Sequence, residues 1–403
     1  MLMSSQASTE SGIRAVAPHG VGIAEMALAL GGLAIGTAEF AAMGVLPEIS
    51  GDLGVSVPQA GHLISAYALG VVVGAPAITI LMAKTPRKAL LIGLMLLYAL
   101  GNFATTIFHS YTAVLVSRFV AGLPHGAYFG VASLVAAAMV PPSKRGEAIG
   151  KVIMGLSVAN VLGVPAATWL GETFGWRSTF MAVAVIAFLT AAMIYVFVPA
   201  VKADKNASAL TEMGALKRAQ VWLTLLAAAV GFGGVFAVYS YITPLLTEVT
   251  HLPLTRVPLM LSLIGIGMVV GSVVCGKLAD RWLKGTMIGM YAFTALMLTI
   301  LVFVAHSAPA MVVVLFLIGI CTMVTVSFQA RLMDVAGDAQ SLAAALNHSA
   351  FNIANALGAW LGGVAIAAGF GWTSTGWVGL GLAIIGIGVL LCSFALDRRR
   401  VAA

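Results

Sequence analysis

Two charged side chains interrupt long apolar stretches of this chain, and they carry opposite signs. Glu39 lies in "GTAEFAAMGVLP" (36–47), with no lysine or arginine within a dozen residues on either side. Arg118 opens "RFVAGLPHGAYFG" (118–130), and His125 follows it by seven residues, on the same face of a helix. A guanidinium keeps its proton in a protein, so in an apolar medium it requires an anion. Glu39 is the carboxylate available at its depth. Two readings stay open. The pair is a structural ion pair that never titrates, or Glu39 is a proton carrier. In the second case low dielectric favours the neutral acid, a nearby cation favours the ionised one, and a change in their separation loads and unloads a proton. His125 is a relay for that proton, a substrate contact or a packing residue.

The remaining polar groups in apolar runs suit a cavity better than a catalytic centre. His348, Asn352 and Asn355 follow the i, i+4, i+7 spacing of one helix face. With Asn160 and the amphipathic Tyr67, Tyr128, Tyr239 and Tyr241 they are candidates to line a polar and aromatic cavity. His62 belongs to an outer vestibule. Cys275, Cys321 and Cys392 all sit in apolar runs without metal-ligand spacing and read as packing residues. Neither HExxH nor GxSxG occurs, and the interior offers one acid, so no catalytic residue and no metal site is assigned. No cofactor is expected beyond protons as the coupling ion.

The composition specifies the solvent of the frame that must hold these groups. Of 403 residues, 61% are hydrophobic and 9% charged, where a soluble chain carries about 25% charged residues. A spanning helix needs about 20 apolar residues. Apolar runs fall near 22–46, 59–82, 89–108, 112–139, 147–170, 178–198, 220–246, 257–278, 286–305, 309–331, 341–368 and 373–396. That is an all-α membrane protein of twelve transmembrane helices. The net charge of +7 does not indicate nucleic acid, because the charges cluster between the apolar runs. An even number of spans puts both termini on one side. If that side is the cytoplasm, basic residues outside the spans divide 18 inside to 2 outside, which sets the orientation. Residues 1–21 are then a cytoplasmic tail, without the apolar core of a signal peptide. Residues 22–198 form a first six-helix bundle, 199–219 a cytoplasmic linker, 220–396 a second bundle and 397–403 a cytoplasmic tail.

The two bundles repeat each other. Pro47 meets Pro244 and Gly122 meets Gly319 at an offset of 197; "VANVLG" at 158–163 meets "IANALG" at 353–358 at 195; "FGWRSTF" at 174–180 meets "FGWTSTG" at 370–376 at 196. By the same offset Phe236 stands where Glu39 does and Leu315 where Arg118 does. A purely structural ion pair would serve both halves alike, so its absence from the second favours coupling. A duplicated bundle places a site near the midplane between two pseudo-symmetric halves that can rock.

Three segments resemble signatures of the major facilitator superfamily, in the spans where that family has them, over about 22–396. They are "GKLADRWLKG" (276–285) between spans 8 and 9, "RFVAGLPHGAYFG" in span 4 and "GLSVANVLGVPAATWLG" (155–171) in span 5. The last is similar to the family's antiporter motif, with Gly163, Pro165 and Gly171 expected to allow close packing and a bend. With "AGHLISAYALGVVVGAP" the set resembles the drug/proton antiporter branch that includes arabinose-efflux-type sugar and drug exporters. The resemblance implies a proton-coupled exporter of small organic molecules in the cytoplasmic (inner) membrane, a monomer whose partners are a small-molecule substrate and the lipid bilayer. An importer of the same fold and a membrane-embedded enzyme are the rival readings. It also implies a conformational latch at Asp280 and Arg281, with Asp280 facing the start of span 5 near Ser143, Lys144 and Arg145. The first-half counterpart reads "ILMAKTPRK", with Ala83 in the acid's place.

Overall fold

The computed structural model describes residues 18–82, 84–141, 145–200, 217–336 and 340–402. Among these residues every regular element is a helix. Spans 1 to 7 are Gly20–Gly44, Val57–Thr79, Arg87–Ile107, Tyr111–Ala138, Ala148–Phe174, Arg177–Phe197 and Ala219–Tyr239. Spans 10 to 12 are Ala308–Ala336, Leu346–Ala367 and Ser374–Asp397. Between them runs one helical stretch of 51 residues, Leu254–Val304, about 77 Å long at 1.5 Å per residue against a hydrocarbon core of about 30 Å. It breaks at Trp282, whose φ of −154° and ψ of 69° leave the helix. Spans 8 and 9 lie on either side of that break, so the chain crosses twelve times. The loop expected between 278 and 286 is instead helix up to a single turning residue.

The sequence repeat is a packing repeat. A Cβ on Gly122 would lie 2.1 Å from the carbonyl oxygen of Tyr67, and one on Gly70 would lie 2.1 Å from that of Phe119. In the second half a Cβ on Gly319 would lie 2.2 Å from the carbonyl of Ile264, and one on Gly267 would lie 2.1 Å from that of Phe316. All four pairs match at 197 residues. Lipid supplies no hydrophobic drive between helices, so close backbone approach through glycine holds span 2 on span 4, and span 8 on span 10.

Several spans are interrupted where the site lies. Span 4 is broken between Tyr111–Gly122 and His125–Ala138, at Pro124, and span 10 between Ala308–Thr322 and Val324–Ala336. Span 5 widens into a π-helical turn at Ala159–Gly163, just before Pro165, which has no N–H to continue the ladder. That turn is where the halves cross: a Cβ on Gly265 of span 8 would lie 2.3 Å from the carbonyl of Asn160. The hydrogen bonds that side chains of the described residues make between the halves lie toward the end of the bundle away from the chain termini. Thr243 donates its hydroxyl to the carbonyls of Gly44 and Met43, at 2.8 and 3.2 Å, and Ser65 donates to that of Ala356 at 3.2 Å.

Glu39 and Arg118 are not the only charges buried in the spans. Glu25 and Arg331 are buried too, near the span ends on the side of the chain termini. Glu25 is paired with Lys151 at 2.9 Å, and Arg331 with Asp397, which Lys284 also meets at 2.8 Å. Each burial cost is met by an opposite charge from another helix, a contact that spacing along one helix does not reveal.

Candidate functional site

Glu39 sits five residues before the end of span 1, and 7% of its surface is exposed. Its neighbour Phe40 stacks on two rings of span 7, Phe236 at 6.3 Å and Tyr239 at 5.5 Å between centroids. On the span 11 side, Asn355 is fully buried and its amide approaches the carboxylate, yet neither amide atom makes a hydrogen bond within 3.5 Å. Among the described residues the Glu39 carboxylate has no cation within 4.0 Å, and the Asn355 amide is its close polar neighbour. It stands between the halves with aromatic rings and an unengaged amide around it.

Arg118 approaches Glu39 without an ion pair, and its buried Nε has no hydrogen-bond partner among the described residues. It is 1% exposed, with one Nη donating to the carbonyl of Ala38 at 3.2 Å and the other to Asn102 Oδ1 at 3.4 Å. The rings of Tyr67 and Phe180 lie 4.5 and 4.7 Å from its guanidinium carbon. A planar, weakly hydrated cation is suited to ring faces, each worth up to about 2 kcal/mol when desolvated. Carbonyl, amide and π-face together supply the negative potential for which the sequence offered only a carboxylate. The bond to Ala38 still ties Arg118 to the residue beside Glu39, so the two approach without pairing.

Span 3 supplies groups that the sequence reading did not single out. Asn102 is buried and donates to the Tyr98 carbonyl at 2.9 Å, which orients its oxygen toward Arg118. The Tyr98 hydroxyl donates to the Ile35 carbonyl, one turn before Glu39, at 3.3 Å, and lies 3.1 Å from the Tyr67 hydroxyl. Two polar residues four apart on an apolar helix were the available signal. The Tyr67 hydroxyl also lies 3.0 Å from His125 Nδ1. Across the interface the His348 ring is 6.2 Å from that of His125 and stacks on Phe129 at 5.4 Å. Asn352 donates to the His348 carbonyl at 3.0 Å and leaves its own oxygen without a partner.

The candidates thus divide. Glu39, Arg118, His125, Tyr67, Tyr239, His348, Asn352 and Asn355 gather where the halves face each other. Tyr128 instead donates to the Leu28 carbonyl at 2.7 Å, bracing span 4 on span 1, and Tyr241 donates to the Ala359 carbonyl at 2.7 Å near the end of the bundle away from the termini. Asn160 donates to the Leu156 carbonyl inside the π-turn. Gly163 packs against Thr37, where a Cβ would lie 2.2 Å from the hydroxyl, and Gly171 packs against Thr179 at 2.5 Å. His62 is bonded to the Tyr111 hydroxyl at 3.0 Å on an exposed surface. Asp280 and Arg281 are exposed, and among the described residues Asp280 has no bonded partner. Ala83, Ser143, Lys144 and the Arg145 side chain lie outside the described residues, as do most of the tail and linker. No group of three His, Cys, Asp or Glu suited to a metal occurs among the described residues.

The profile of the Major Facilitator Superfamily matches residues 28–288 and 259–402. The chain is 41% identical over 349 residues to the inner membrane transport protein YdhP of Escherichia coli (strain K12), covering 86% of this chain and 90% of that one. It is 36% identical over 258 residues to a chloramphenicol resistance protein of Streptomyces lividans, covering 63% and 66%. The crystal structure of a point mutant of the nucleoside transporter NupG shares the fold, with a TM-score of 0.72, 12% identity, and coverage of 92% of this chain and 100% of that one.

Proposed function

The chain belongs to the Major Facilitator Superfamily, and from that premise we propose that it is a proton-coupled exporter of small organic molecules working by alternating access. The observation that carries this reading is the buried Glu39 carboxylate, which lies between the two halves without a cation within 4.0 Å among the described residues. An ionised carboxylate buried alone costs several kcal/mol, and the neutral acid avoids that cost. Glu39 therefore changes charge as water reaches it from one side or the other. A substrate seated against Phe40, Tyr239 and Asn355 occupies the space around the carboxyl, so proton and substrate exclude each other. Arg118 follows the span 1 backbone through Ala38, and a shift of span 1 on span 4 alters its distance to Glu39.

Export is the favoured direction, supported by the antiporter-like span 5 segment and by the name of the Streptomyces relative, a chloramphenicol resistance protein. The distribution of basic residues favours cytoplasmic termini, and the name of the E. coli relative favours the inner membrane. With the outer side joined by Thr243 and Ser65, Asp280 is exposed. We assign it to the opposite state, docked on the start of span 5 when the cytoplasmic side closes.

A thermal-shift panel of sugars, nucleosides and antibiotics, chloramphenicol first, should reveal a ligand that raises the melting temperature. Flux of that ligand in proteoliposomes then tests coupling. The wild-type protein should move it uphill along an imposed pH gradient. Glu39→Gln should bind it with an affinity independent of pH and transport it only downhill. Wild-type-like uphill flux by Glu39→Gln would remove the carboxyl from the mechanism.

A further inference from the structure

His125 is held by a chain of hydroxyls whose direction can be read from its far end. A carbonyl oxygen only accepts, so the Tyr98 hydroxyl spends its single proton on the Ile35 carbonyl. The Tyr98 oxygen is then free only to accept, with the Asn102 amide beside it and the Tyr67 hydroxyl, whose proton it can take, at 3.1 Å. Tyr67 in turn has no proton left for His125 Nδ1, 3.0 Å away. Its oxygen must accept from that nitrogen. Run in the opposite direction, the same four groups would make two hydrogen bonds rather than three.

We propose that Tyr67 and Tyr98 preset the neutral His125 ring as its Nδ1–H tautomer, leaving Nε2 as a bare hydrogen-bond acceptor where the two halves face each other. A ring nitrogen's protonation is set by the bond its partner nitrogen makes. Nε2 has no hydrogen-bond partner among the described residues, and the ring faces Phe129 and, from the other half, His348. The charged and titratable groups around the chain are Arg118 on the Tyr67 ring face, Glu39 beyond both phenols and His348 opposite. Nε2 takes a substrate group that donates, a hydroxyl or an N–H, and offers nothing to a group that only accepts. Tyr67 and Tyr98 are positioning residues; the substrate part rests on this meeting of the halves being the transport site.

Nitrogen-15 NMR of the full-length protein labelled at histidine tests the tautomer without any substrate. The His125 signals are identified by their loss in His125→Asn. At neutral pH Nδ1 should carry the proton and Nε2 should not. Tyr98→Phe is the decisive variant, because it frees the Tyr67 proton to turn toward Nδ1 and should convert the ring to the Nε2–H tautomer. A packing role for Tyr98 would not invert a tautomer. A wild-type Nε2–H ring, or a tautomer unmoved by Tyr98→Phe, would overturn the assignment. Chloramphenicol carries hydroxyl and N–H donors, and Tyr98→Phe should weaken its binding about tenfold, the scale of one buried hydrogen bond. Unchanged affinity with an inverted tautomer would overturn the substrate part. No binding of chloramphenicol by the wild-type protein would count against the donor class of substrate and the choice of drug in the transport reading, while the NMR result still decides the tautomer.

Discussion

The two halves of the molecule share a scaffold and differ in chemistry. Where span 2 meets span 4 and span 8 meets span 10, the same glycines face the same carbonyls at corresponding positions. A few ångströms away the correspondence ends. Glu39, Tyr67 and Arg118 of the first half stand opposite Phe236, Ile264 and Leu315 in the repeat. The second half contributes rings, the amides of Asn352 and Asn355 and the His348 imidazole to the interface, and no charge. Close backbone contact tolerates no Cβ in either copy, so the packing positions stayed alike. The inward face of the cavity carries no such constraint. The span ends on the side of the termini differ as well, since the second half has Arg331 and Lys284 on Asp397 and the first has Glu25 on Lys151.

The charge cluster is where breaking that asymmetry should cost most. Asp397→Ala leaves Arg331, 7% exposed, without its carboxylate, a loss of about 3 kcal/mol. A clearly lowered melting temperature in detergent is expected, with recovery in the Asp397→Leu, Arg331→Leu double variant. By the offset of 196 that relates Arg177 to Thr373, Val201 stands at the corresponding place in the first half and carries no charge. The scaffold should instead respond symmetrically. Gly122→Ala and Gly319→Ala each force a methyl to within about 2.2 Å of a carbonyl, and each should cost about 1–3 kcal/mol. Melting temperatures that fall unequally would show that the packing repeat is not an energetic one.

The cavity comparison is sharpened by Phe236→Leu. It removes the ring that faces Phe40 from the position corresponding to Glu39, worth about 0.5–1.5 kcal/mol of ring contact. Substrate affinity should fall between about twofold and tenfold while the pH dependence of binding is kept. Loss of that pH dependence would mean that coupling is shared by both halves.

The smallest effect concerns the outer surface. Arg177 pairs with Asp52 in the first half, whereas Thr373 stands in its place in the second. The Arg177 hydrogen bond holds the Asp52 carboxyl below its ordinary value of 3.8. A group whose value is depressed on folding contributes stability above the unfolded value, and that contribution is lost as the pH falls through the folded one. Asp52→Asn should thus cost about 0.2–1 kcal/mol near pH 7, as expected of an exposed pair, and nothing in acid below the depressed value. An effect that persists in acid would assign the residue another role.

Much of the architecture was legible in order along the chain. The break between spans 8 and 9 was legible at 278–286, but its confinement to Trp282 was not, because only the backbone angles mark a single turning residue. The interior chemistry was legible as a list of unusual residues, Glu39, Arg118, His125 and the span 11 polar face, but not as partnerships. Arg118 shows why. Elimination among the charged residues led to Glu39, while the structure uses a carbonyl, an amide and two rings, groups too common in the sequence to stand out. Tyr128 and Tyr241 look like Tyr67 in sequence, and only the carbonyls they reach make them braces.

By itself the sequence determined the solvent, the number of crossings, the duplication and the presence of a carboxyl at membrane depth. Those follow from apolar run length, charge placement and spacing, all properties of one dimension. The tertiary structure decided which partners the buried groups meet: Glu39 lies beside Asn355 without a cation in contact, and the far nitrogen of His125 has no hydrogen-bond partner among the described residues. Hydrogen-bond and charge satisfaction depend on distances of about 3–4 Å between different helices, and no spacing along a single helix encodes them.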